Sequence, residues 1–205
     1  MYRPPKYRKD DKEFIFSFIE ENPFASFILK GERLLATHIP VLVEGNSENF
    51  RLYSHIANHN EQKTFLKDGA EALIIFHGPH AYVSSSWYKE KDISTWDYTA
   101  VHVNARIRLQ TAEELETSLE TMVERFERKQ ESPLYYKDIP ELMLKEHLPL
   151  ITGFWLEPFK IEGIAKLHQA YPKYDIEAVT KKLDDSGSYR DRELGAAIRK
   201  ENNTD

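Results

Sequence analysis

Residues 71–104, EALIIFHGPHAYVSSSWYKEKDISTWDYTAVHVN, decide the fold. Ala72 to Phe76 run without a polar break, and so short an apolar run fits a strand covered on both faces. Gly78-Pro79 is a stop signal. A second short strand, Ala81-Tyr82-Val83, follows it. A polar loop comes next, carrying Trp87, Tyr88, Trp96 and Tyr98 among Ser84, Ser85, Ser86 and Thr95. The last strand leaves from there, with Val101 and Val103 alternating against His102 and Asn104. Aromatic rings are costly to leave in water, so this loop should close over something. That is either the protein's own core or a flat ligand, walled by rings and oriented by hydroxyls. Composition alone favours the core.

Upstream, residues 11–21 read as a helix with Phe14, Ile15, Phe18 and Ile19 on one face. Asp10 is its expected cap, with Glu13 at the capping-box position, and Asn22-Pro23 ends it. Strands are expected over 24–29, 33–43 and 50–55, with an edge or bulge at Pro40. A short helix is expected over 57–68, ending at Gly69. With the strands of the opening stretch, the last spanning 98–109, this makes about six strands on short connections. The pattern suits a small barrel closed on itself rather than a βαβ sheet.

Downstream the period changes. Thr111 and Glu114 form a capping box ahead of the apolar stripe Leu115, Leu119, Met122, Val123 and Phe126. A shorter helix is expected between Ile139 and Glu146. Residues 151–167 return to strand character and rejoin the barrel. Helices are expected over 175–184 and 189–200, with apolar faces thin enough to suggest packing on a partner surface. The tail from residue 201 to 205 is expected to fray.

The 205 residues suffice for one domain with a helical appendix. The absence of cysteine excludes disulfides, thiolate zinc sites and cysteine nucleophiles. No apolar run approaches the ~20 residues a bilayer span needs. The basic N-terminus lacks the apolar core of a signal peptide, so a cytoplasmic protein with no membrane partner is expected. A net charge of −6 argues against a broad nucleic-acid surface, and the one compact basic patch is Arg3, Lys6, Arg8 and Lys9. Direct DNA contact is therefore not expected.

Six of the eight histidines fall in the strand region. His77-x-x-His80 has metal-ligand residue types but brackets the Gly78-Pro79 turn, so hydrogen-bonded histidines are the better reading and no metal site is expected. No nucleophile elbow, P-loop or dinucleotide fingerprint is present. No residue stands out as a necessary catalytic acid or base. Thr37-His38 and the run from His55 to Asn60 place hydroxyl, imidazole and backbone N–H groups at adjacent strand ends. Such groups can face an anion, with Lys63 adding charge; an ordinary polar strand end reads equally well.

The blocks HGPHAYVSSSWY and STWDYTAVHV resemble those of the PaiB-type FMN-binding negative transcriptional regulators, relatives of pyridoxamine-phosphate oxidase. MYRPPKY, Ala36 to Pro40, His55-Ile56-Ala57 with Asn60, and Ile161-Glu162-Gly163 with Lys166, Leu167 and Gln169 resemble further blocks in the same order. The resemblance implies a six-stranded antiparallel split β-barrel, mainly β with helices. It implies a homodimer with FMN at the subunit interface. The barrel domain would cover 1–170, with helices inserted at about 111–147, and 171–205 would form a helical extension. Carried over by position, Thr37, His38, His55, Asn58, Asn60 and Gln62 would lie near the cofactor. Trp87, Tyr88, Thr95 and Trp96 would build the wall, and Lys166 and Gln169 would join them.

The chain departs from the family's pattern at Ser86, where proline is usual before Trp-Tyr, and at Ser94, where proline is usual before Thr-Trp. His168 and Ala170 stand where the family has serine and asparagine, removing two compact hydrogen-bonding groups. The expected function is FMN-linked, indirect regulation. The alternatives are an FMN-dependent oxidoreductase acting on a small molecule, or a relative that binds haem or no cofactor.

Overall fold

The computed structural model describes residues 1–204, so the last residue of the expected frayed tail lies outside the described residues. Five α-helices are α1 (Lys12–Glu21), α2 (Ala112–Glu127), α3 (Glu141–His147), α4 (Lys173–Asp185) and α5 (Tyr189–Asn202). Seven strands are β1 (Phe24–Lys30), β2 (Leu34–Pro40), β3 (Leu42–Asn46), β4 (Asn49–Ala57), β5 (Glu71–Val83), β6 (Thr95–Leu109) and β7 (Ile151–Lys166). They form one sheet in the order β2-β1-β5-β6-β7-β4-β3, antiparallel in its registered pairs.

Two expectations are corrected here. The sheet has seven strands rather than six, and it is not closed: β2 and β3 are its two edges. The cause is at Pro40. Proline brings no N–H to a ladder, and the next amide, Val41, donates to the Pro23 carbonyl at 2.7 Å. The expected strand 33–43 therefore breaks, and its halves pair on opposite sides. β2 pairs with β1 (Phe24 opposite Pro40), and β3 pairs with β4 (Leu42 opposite Tyr53). The Ser54 hydroxyl on β4 donates to the Pro40 carbonyl at 2.6 Å.

Gly78-Pro79 does not stop its strand either, because β5 runs through it. A Cβ at Gly78 would lie 2.4 Å from the Thr99 hydroxyl and 2.7 Å from the Phe18 ring. Glycine here serves close packing of β5 against β6 and α1, not a turn. The expected helix over 57–68 shrinks to the single turn Glu61–Thr64. The cap of α1 is Asp11 rather than Asp10, its carboxylate accepting from the Phe14 amide at 2.8 Å. The capping box of α2 is present as read, with Thr111 and Glu114 bonded reciprocally. Arg108 forks onto that glutamate at 2.7 and 3.1 Å and holds its carboxyl down at about 2.

The chain divides into two compact units interleaved in sequence. One comprises Ile19–Phe76 and Val103–Ile161. Its core holds Phe27, Leu29, Leu52, Ile74, Phe76, Ile107, Phe154 and Leu156, all fully buried. The Phe27 and Phe154 rings pack at 5.1 Å. Met122 of α2 joins Leu42, Tyr53 and Trp155 in a satellite cluster.

The other unit comprises Met1–Phe18, His77–His102 and the chain from Glu162 onward. Ala81, Val83, Tyr88, Ala165 and Leu167 pack against Ile176, Val179 and Leu183 of α4 and against Leu194 and Ile198 of α5. The terminal helices thus bury their thin faces in their own chain's core. Each such aliphatic side chain contributes roughly 1.5–3 kcal/mol, so five of them suffice to hold two helices. Gly187 turns the chain between the helices at φ +75°, a left-handed conformation that favours glycine.

Candidate functional site

The polar residues singled out from the sequence fall into two sets, one in each unit. The first belongs to the unit that holds the aromatic loop. Lys166, the last residue of β7, directs its ammonium at the start of β6. There it donates to the Thr95 hydroxyl and, at 2.9 Å, to the Trp96 carbonyl, and it stands 3.6 Å from the Asp97 carboxylate. Asp97 is only 1% exposed. A carboxylate so deeply buried must be paired to be tolerated. Its second oxygen meets Nδ1 of His168, also 1% exposed. The other ring nitrogen of His168 lies 3.0 Å from the Tyr88 hydroxyl, and its ring stacks on Tyr171 at 4.3 Å. His168 adopts a φ of 63°. A left-handed conformation costs a non-glycine residue on the order of 1 kcal/mol, and the contacts on both ring nitrogens offset it. Burial raises the Tyr88 phenol well above its ordinary value.

The remaining members of this set differ in availability. The Gln169 amide is used locally. Its oxygen accepts from the Leu167 amide at 2.8 Å, and its nitrogen donates to the Ala165 carbonyl at 2.5 Å and the Glu201 carboxylate at 3.3 Å. Trp87 packs, half-buried, on the core beneath α4 and α5. Trp96 is 52% exposed. Its indole N–H donates to Nδ1 of His80 at 3.3 Å, and the two rings stack at 6.0 Å. Among the described residues no three His, Asp or Glu side chains gather in a way that could hold a metal ion.

The second set is built from neutral side chains, with Glu61 and Lys63 on either side of Gln62 in the same turn. Asn60 caps the single turn Glu61–Thr64 by accepting from the Gln62 amide at 2.9 Å, and its side-chain nitrogen donates to the Thr37 hydroxyl at 3.0 Å. Gln62 is 1% exposed. Its nitrogen donates to the carbonyls of Phe27 (3.2 Å) and Leu35 (3.1 Å), while its oxygen is buried with no protein partner. Buried acceptors are rarely left unpaired. Thr37, Asn60 and Gln62 are thus brought together. His38 lies one residue along β2 and stacks on Phe24 at 6.2 Å instead. Asn58 is tied elsewhere, donating to Pro149 at 2.8 Å and accepting from Thr152 at 2.6 Å. His55 faces Gly153 across the β4–β7 pair, and burial lowers its imidazole pKa.

Sequence reading missed Asp97, His168 and Tyr171. His168 entered it only as a lost serine, and 71 positions separate it from the aspartate it meets. No short-range pattern could have joined them.

The family described as "Putative FMN-binding domain" matches residues 1–158. The chain belongs to that family. Within the reach of FMN-binding-domain relatives, it is 29% identical over 184 residues to "Protease synthase and sporulation protein PAI 2" of Bacillus subtilis (strain 168), covering 89% of each chain. Among solved structures it resembles the FAD and heme binding protein from Mycobacterium smegmatis (TM-score 0.59, 15% identity, 84% of this chain and 80% of that one). It also resembles the flavocytochrome Anf3 from Azotobacter vinelandii (TM-score 0.59, 14% identity, 86% and 78%). At such identities these two likenesses speak for the fold. No helix among the described residues is long and apolar enough to cross a membrane.

Proposed function

We propose that this chain is a cytoplasmic FMN-binding split-barrel protein, that it holds the cofactor as a homodimer, and that it acts as a regulator through its flavin state. The observation that carries this reading is the family match, which spans 1–158 and so includes the whole second set. The donor set fits the cofactor in kind. FMN offers a planar ring with N–H and carbonyl groups, ribityl hydroxyls and a phosphate. The unpartnered Gln62 oxygen is an acceptor for such a donor, and Thr37 and Asn60 add a hydroxyl and an amide beside it. His55, kept neutral by burial, can donate and accept. Trp96 presents exposed ring surface for apolar contact. His38, Asn58, Trp87, Tyr88, Thr95, Lys166 and Gln169 complete the proposed contacts. Lys166 is not a free phosphate ligand, because Asp97 already matches its charge; its role is to fix Thr95 and Trp96. Half-buried Lys63 is the cation of the second set.

When bound, FMN supplies the electron transfer, and the protein supplies orientation and electrostatics. The Bacillus subtilis relative is named for protease synthesis and sporulation, which supports a regulatory role here. The charge of −6 favours an indirect one.

A second reading, an FMN-dependent oxidoreductase for a small molecule, is favoured by the buried Asp97, His168 and Tyr88, groups that can hold and move a proton. Haem is the alternative cofactor, since the two structural neighbours are named for haem or cytochrome as well as flavin. The test is the absorption spectrum of the purified protein, as isolated and after titration with FMN. Flavin bands perturbed on binding, at one FMN per chain, are expected. A protein that leaves added FMN unperturbed overturns the reading, and a Soret band in its place supports haem.

A further inference from the structure

None of the seven side chains of α3 is buried among the described residues. Leu142 is 69% exposed and Met143 51%, and Leu150, just past the helix, is exposed as well. A helix shorter than about 12 residues is marginal in water on its own, and most helical stability comes from packing an apolar face. α3 has apolar side chains for such packing and leaves these two in water.

The negative charge of the chain is gathered in the same region. Residues 111–150, which include α2 and α3, hold ten acidic and five basic side chains, a net of −5 out of the chain's −6. Several of the acids are used within the fold. Glu114 pairs with Arg108 and Glu141 with Lys145, while Glu127 accepts from the Leu134 amide at 2.9 Å and Glu116 from the Tyr136 phenol at 3.2 Å. Glu120 and Glu124 are exposed, and their carboxylates have no partner among the described residues. They stand four residues apart on α2, so like charges are neighbours on the helix surface. With Tyr135, Tyr136 and Lys137 they line a groove of about 240 Å³ that keeps one negative charge in excess. Carboxylates beside aromatic rings suit a cationic side chain, which gains from both.

We propose that α2 and α3 dock a basic amphipathic segment of another protein. A cation of that segment enters the Glu120–Glu124 groove, and its apolar side chains cover Leu142 and Met143. Charge decides between this occupant and a second copy of the chain. A second copy related by a two-fold axis would set −5 against −5 at one face, and like charges across an interface oppose association. A basic amphipathic segment relieves the charge and covers the apolar side chains together, as a helix laid in a groove does. The docking face stands on exposure and charge; its use in indirect regulation rests on the proposed function.

Calorimetric titration of the full chain tests it. The probe is a synthetic peptide of lysine and leucine with the leucines at helical spacing, and the control has glutamate in place of lysine. Binding of the lysine peptide alone is expected, weakening as salt is added. Leu142→Ser combined with Met143→Ser should weaken it about tenfold, as loss of an apolar anchor predicts. Glu120→Gln combined with Glu124→Gln should weaken it about as much. All four side chains are exposed, so both variants are expected to keep the parent's thermal midpoint. A lysine peptide that does not bind, or that binds either variant as tightly as the parent, overturns the proposal. So does sedimentation in which the parent self-associates and the Leu142 and Met143 variant does not, since that gives the face to a second copy. The titration is run without FMN, so failure of the cofactor reading leaves its outcome unchanged.

Discussion

The two polar sets use opposite electrostatics. Around Asp97 one buried carboxylate is matched by an ammonium and an imidazole, and every partner depends on the others. The Gln62 side chain itself is neutral, its bonds run to backbone carbonyls, and its buried oxygen has no protein partner. A buried charge is costly unless it is fully paired, whereas an amide half-paired in the same depth costs far less. The first set is therefore closed on itself, and the second leaves one buried acceptor unmet.

Replacing Asp97 by Ala strands the Lys166 ammonium, leaves a buried imidazole nitrogen of His168 unpaired, and should cost about 3–5 kcal/mol, read as a lower denaturation midpoint at unchanged m-value. Gln62→Leu frees the Phe27 and Leu35 carbonyls and should cost about 1–3 kcal/mol. It should also weaken FMN binding about tenfold, the worth of one hydrogen bond of roughly 1.4 kcal/mol. If both substitutions cost the same, the contrast between the sets is wrong. Trp96→Ala should leave stability within about 0.5 kcal/mol yet weaken FMN about three- to tenfold, as loss of one ring contact predicts. Unchanged affinity in a calorimetric titration would remove Trp96 from the site.

The smallest expected effect is that of pH. Because burial lowers the His55 pKa in the folded state, the unfolded chain binds its proton more readily. The stability this gives is present above the ordinary imidazole value of ~6.5 and is lost as pH falls below it. Thermal midpoints of His55→Gln should fall less than those of the parent between about pH 7 and pH 5, and parallel curves would rule His55 out.

What could be read from the sequence follows the range of the interaction. The capping box at Thr111 and Glu114 is local and found as read, while the apolar stripe of α2 is found in part: Leu115 and Met122 are buried, Leu119 and Val123 half-buried, and Phe126 stays exposed. The aromatic loop's two fates were not legible. Tyr88 is drawn into the core while Trp96 stays exposed, because α4 and α5 arrive from the far end of the chain to cover only the former. The open sheet was hidden for a related reason. Pro40 announces a break in a strand, but the partner each half takes depends on strands still to come. In the sites, Asn60 and Gln62 share one turn, whereas Thr37 lies 23 positions from Asn60 and joins them through the end of another strand. The Asp97–His168 pair joins the first residues of one strand to the segment beyond another, and only the fold brings them together.

The interleaving of the two units has a practical corollary for anyone shortening this polypeptide. The family match ends at residue 158, in the middle of β7. Cutting there would remove Lys166, His168 and both terminal helices, and so strip Ala81, Val83 and Tyr88 of the side chains that cover them. The limit of the family match is not a boundary of independent folding, and a truncate designed on it would expose the surface of Ala81, Val83 and Tyr88.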